Sequence, residues 1–149
     1  MDPETSPYQA PASELADPEP NPARPLLGIL AGVATDLIGT TVVAVILGML
    51  YGMAFALGWF EPGPQQGDVL TILMQIQGSI WTVLGGYWCA RVGRQRVYLL
   101  VAIEAALVIA FSLWLAPPAS LEDLPSHLIT LPLALGGGYW WQRGNRSSA

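Results

Sequence analysis

Four apolar stretches, separated by short polar joints, fill most of this chain. They cover residues 26–60, 69–90, 97–116 and 124–141. A helix needs ~20 apolar residues to cross a hydrocarbon core ~30 Å thick, and the last three stretches match that length. The first would extend about 50 Å as one helix at ~1.5 Å per residue, so it must tilt, protrude or lay one end along the interface. Proline marks the joints at Pro62, Pro64, Pro117 and Pro118. Pro132 falls inside the fourth stretch, where it should kink the helix and free one backbone carbonyl. The pattern predicts an all-α integral membrane fold with four transmembrane helices.

The polar joints alternate in sign. Arg24 precedes the first stretch, Arg91, Arg94 and Arg96 fill the second joint, and Arg143 and Arg146 follow the fourth. The other two joints hold Glu61, Asp68, Glu122 and Asp123 and no basic residue. Basic residues are retained on the cytoplasmic side of a membrane. All six arginines therefore predict a multi-pass plasma-membrane protein, of bacterial inner-membrane type, with both termini cytoplasmic. Aromatic residues cluster where the stretches meet the arginines (Tyr87, Trp88, Tyr139, Trp140, Trp141), as expected of interfacial anchors, and Trp59 and Trp114 lie towards the other face.

Residues 1–25 are of a different kind. They contain seven of the 13 prolines and five acids against one arginine. Such a segment buries too little apolar surface to offset its ordering entropy, and it lacks the basic start and short apolar core of a signal peptide. The expected organisation is a disordered acidic tail over 1–25, a helical membrane domain over 26–141 and a short cytoplasmic tail over 142–149.

Composition narrows the function. Hydrophobic residues make up 52% and charged ones 11%, too little charge to cover a soluble globule. The net charge of −5 argues against nucleic acid as a partner, because phosphate backbones require a basic face. The single Cys89 excludes an internal disulfide, and no Cys/His group has metal-ligand spacing. His127 lies four residues after Asp123, which makes at most two ligands, and it reads as an interfacial polar residue. No phosphate loop, metalloprotease motif or nucleophile elbow is present, so neither catalysis nor a cofactor is expected.

Two internal patterns add detail. Leu84-Gly85-Gly86-Tyr87-Trp88 and Leu135-Gly136-Gly137-Gly138-Tyr139-Trp140 both lead into arginines, and Asp36 and Glu104 occupy matching places in the first and third stretches. The chain thus reads as two tandem helical hairpins, a repeat used by transporters that bind between their halves. Small residues also recur every fourth position at Gly28, Gly32, Asp36, Thr40, Ala44, Gly48, Gly52 and Ala56. That spacing puts them on one helix face, where a second backbone can approach closely.

Asp36 and Glu104 are the only charged residues well inside the apolar stretches. An acid at a helix centre costs roughly 2.5–3.5 kcal/mol on insertion scales, so both should face protein. They suit a site for protons or substrate, or hydrogen-bonded packing through Thr35, Thr40, Gln77, Ser79 or Thr82. Alternatively, the first transmembrane helix starts near Leu37 and Asp36 is its interfacial N-cap. The leading expectation is a non-enzymatic accessory or scaffold protein that assembles in the lipid bilayer, with itself or another membrane protein, through its small-residue face. The alternative is an oligomeric, proton-coupled small-molecule transporter or channel subunit that uses Asp36 and Glu104.

Overall fold

The structure is a computed structural model that describes residues 24–59, 64–115, 117–118 and 124–146. The expected tail over 1–25 therefore lies almost wholly outside the described residues, as do the acids Glu61, Glu122 and Asp123. Among the described residues every regular element is helical: α1 (Pro25–Ala56), α2 (Pro64–Gly93), α3 (Val97–Leu115), α4 (Leu124–Leu128) and α5 (Thr130–Arg146). Helices α1, α2 and α3 are long and apolar enough to cross a membrane.

The helix ends follow local chemistry. Pro25 opens α1, where a missing N–H costs nothing because that group has no partner within the helix. Its other end closes on Gly58 at φ 72°, with Gly58 N–H donating to Phe55 O and Trp59 N–H to Ala54 O, both at 3.0 Å. Those two bonds form a Schellman cap, whose left-handed residue favours glycine. The joint between α2 and α3 is tighter. Arg94 and Arg96 both adopt positive φ, 57° and 45°, and Arg96 O accepts the first N–H groups of α3, from Leu99 and Leu100.

The fourth apolar stretch is divided. A five-residue α4 and a 17-residue α5 replace the continuous span expected over 124–141, and α5 alone is shorter than a full crossing. Pro132 accounts for the break, because it donates no N–H to Leu128 and its ring crowds that carbonyl. Past Trp141, α5 stays helical to Arg146, into the expected C-terminal tail.

The four long helices alternate in direction, which gathers the start of α1, the end of α2, the start of α3 and the end of α5 at one pole, here termed the arginine end. The buried core lies in this half: Cys89, Ala90, Val97, Leu100, Val101, Ala105 and Ala134. Small residues set how closely its helices meet. A methyl on Gly28 would stand 2.7 Å from Gly93 Cα, and one on Gly86 or Gly137 would collide with the Ala134 or Val83 carbonyl respectively. The last two contacts are reciprocal across α2 and α5, as a two-fold relation between the hairpins would make them. The opposite half of α1 is exposed, and methyl groups on Gly48 and Gly52 would touch nothing. Here the chain is tight at one pole and splayed at the other.

Candidate functional site

Asp36 lies in the middle of α1 and is only 3% exposed. Helix α1 runs unbroken from Pro25, so the reading of Asp36 as a helix N-cap is wrong. The small-residue period turns its side chain towards α2, where two hydroxyls meet it. Thr40 Oγ1 donates to Oδ1 at 3.2 Å and Thr82 Oγ1 to Oδ2 at 3.1 Å. Each carboxylate oxygen thus accepts one bond, an arrangement suited to an anion, which can only accept.

Glu104 is treated in the opposite way. It is wholly buried, and neither carboxyl oxygen has a hydrogen-bond partner. Helix α3 points it into the crossing of α1 and α2, opposite two glycines. A methyl on Gly85 would stand 3.0 Å from Glu104 Oε1, 3.0 Å from Gly32 O and 3.2 Å from Asp36 Cβ. A methyl on Gly32 would stand 2.9 Å from Glu104 Cγ and 2.8 Å from Cys89 Cβ. The two acids therefore converge on one point, from the first helix of each hairpin. No basic side chain lies among these contacts. A buried polar group without a partner is uncommon in folded proteins and calls for an explanation.

On the side of Asp36 away from the arginine end is a cavity of about 460 Å³, walled by α1, α2, α3 and the α4–α5 segment. Hydroxyl and amide groups contribute to the wall through Thr40, Thr41, Gln75, Ser79, Ser112 and Thr130, with Asp36 and Thr82 also on the lining. Glu104 is not on the lining. His127 pairs with the wall through Ser112 Oγ, 3.0 Å from its Nδ1. Gln77 donates weakly to Thr40 O at 3.5 Å, while its own Oε1 is buried and unpaired.

The other residues of interest in the sequence fall into three places. Gly28 and Gly32 pack against α2, Thr40 and Ala44 are half-buried, and Gly48, Gly52 and Ala56 are exposed. Arg24, Arg91, Arg94, Arg96 and Arg143 stand exposed at the arginine end, which Arg146 also reaches. Cys89 is buried beside Gly32. Sequence reasoning missed Gly85, which fixes the meeting point, and Gly39, which packs against the Trp81 ring. The double glycine of the repeated motif was the available signal for Gly85. Among the described residues no group of three or more potential ligands could hold a metal ion. No protein-family model, curated protein or solved structure matches this chain.

Proposed function

We propose that this chain is a proton-coupled transporter or channel subunit whose working groups are Asp36 and Glu104. The observation that carries this reading is the unequal treatment of two converging acids. Asp36 has hydroxyl donors on both oxygens and borders a cavity whose mostly apolar wall carries several hydroxyl groups. Glu104 is sealed behind it without a donor. A buried carboxyl without donors is best kept neutral, whereas one with two donors can bear charge. Asp36 is then the group that exchanges its proton with the cavity, and Glu104 holds one in reserve. Because the acids are so close, they titrate as a pair. Simple hydrogen-bonded packing would instead have given Glu104 a partner.

In this reading α4 and α5 together make the fourth crossing, and the arginine end with both termini is cytoplasmic, in a bacterial inner membrane. The cavity then faces outward. Proteoliposomes containing a pH-sensitive dye test the function. Under an imposed membrane potential, wild type should move protons, alone or with a co-solute from a broad panel, and Asp36→Asn should not. Silence of the wild type with every solute, or equal flux in Asp36→Asn, contradicts the proposal.

The open face at Gly48 and Gly52 favours a second role, assembly. Close backbone approach at such small residues associates helices in membranes. Bulky substitutions there should then change the oligomeric state without altering the carboxylate site.

A further inference from the structure

A second cleft, independent of the acids, lies at the arginine end between α2 and α5. Its volume is about 620 Å³. The walls are largely aromatic: Tyr87 and Trp88 from α2, Trp140 and Trp141 from α5. Tyr87 holds the group together, with ring centroids 6.1 Å from Trp88 in an edge-on contact and 5.5 Å from Trp140. Arg91 completes the lining, its guanidinium 4.7 Å from the Trp88 ring centre. That cation–π contact holds the guanidinium against the cleft wall.

We propose that this cleft binds the headgroup of an anionic phospholipid, with the phosphate on Arg91 and the upper acyl segment against the tryptophans. Four observations favour that occupant. No carboxylate among the described residues pairs with Arg91. In the membrane reading proposed above, on which this inference rests, the rings and the guanidinium lie together at the level of the lipid phosphates. The other arginines gather at the same pole, where they add a weak, screened attraction for anions. A guanidinium also matches phosphate oxygens in a two-point contact that ammonium headgroups cannot provide. Helices α2 and α5 both end here, and their negative poles disfavour an anion beyond their ends. The phosphate therefore sits beside Arg91, in the cleft, rather than over the helix termini.

Native mass spectrometry of the full chain in neutral detergent tests this, with phosphatidylglycerol and phosphatidylcholine as probes. Wild type should retain one phosphatidylglycerol in clear preference to phosphatidylcholine. Arg91→Ala should lower phosphatidylglycerol affinity about tenfold, to the phosphatidylcholine level. Arg24→Ala, at the same pole but outside the cleft, should change it less than about twofold, since exposed charges are largely screened. Arg91→Lys keeps the charge but loses the planar guanidinium, and should retain only part of the preference. If Arg91→Ala does not fold, Arg91→Lys and Trp140→Ala carry the test through reduced retention. No preference in the wild type overturns the site. An equal loss in Arg24→Ala does so too, because it shows a diffuse field. Inorganic phosphate competing as well as lipid would show a site for the free ion. A tenfold gain on deleting residues 2–22 would show that the acidic N-terminal segment occupies the cleft instead.

Discussion

Glycines with similar sequence surroundings behave very differently because of what their missing methyl groups would meet. At Gly85 the methyl would press on Glu104, on the Gly32 carbonyl and on Asp36. The glutamate tip can move, but the carbonyl cannot. Gly85→Ala should therefore cost about 1–3 kcal/mol, the usual range for overpacking. Gly86→Ala strikes only backbone, at Ala134, and should reach or exceed the top of that range. Gly48→Ala meets nothing and should be neutral or slightly stabilising. Thermal unfolding in one detergent ranks the three, and Gly86→Ala proving milder than Gly48→Ala would show that the helices do not cross as described. Thr82→Val removes a donor to Asp36 and should cost about 0.6 kcal/mol, the average for interhelical hydrogen bonds in membranes. Both acids stood out in the sequence as the only charges within apolar stretches. Their partners did not. Thr82 lies 46 residues from Asp36, and five hydroxyl- or amide-bearing residues were equally plausible until the register of α1 on α2 was known. Gly85 and Gly86 are adjacent, yet one faces the acids and the other α5, a distinction that only the crossing geometry makes.

At the scale of elements, apolar length foretold α1, α2 and α3, because that signal is local. Less legible was where packing stops. The small-residue period runs the whole length of α1, but only Gly28 and Gly32 in it meet close backbone, whereas Gly48 and Gly52 face open space. Pro132 was visible as a disturbance, and in the structure it falls just after a one-residue interruption at Ile129 between α4 and α5. Nothing in the pattern predicted the strained joint at the arginine end. Arg94 and Arg96 sit in the left-handed region, which costs a non-glycine residue ~1–2 kcal/mol. Arg94→Gly should therefore be more stable than Arg94→Ala by about 1 kcal/mol, as both variants lose the same charge and differ in backbone freedom. Equal melting temperatures for the two would mean that Arg94 does not hold a positive φ.

The whole molecule combines a closed pole with an open one, and the acids lie at the transition. Alanines and glycines draw the helices together around Cys89, Val101 and Ala134, which isolates Glu104 from the cavity. Beyond Asp36 a cavity opens between the helices, its mostly apolar wall carrying several hydroxyl groups. Such a shape gives the two carboxyls different access to water, a difference that infrared spectroscopy of oriented membranes can read without knowledge of any solute. On a jump from acidic to alkaline buffer, wild type should lose protonated-carboxyl absorption in two components. Asp36→Asn should remove the fast one and slow the other, because Glu104 would have lost its route to the cavity. Glu104→Gln should remove the slow component and leave the fast one. Absorption that no buffer change alters, or a Glu104 component just as fast in Asp36→Asn, would contradict the proposal that Asp36 passes protons between the cavity and Glu104.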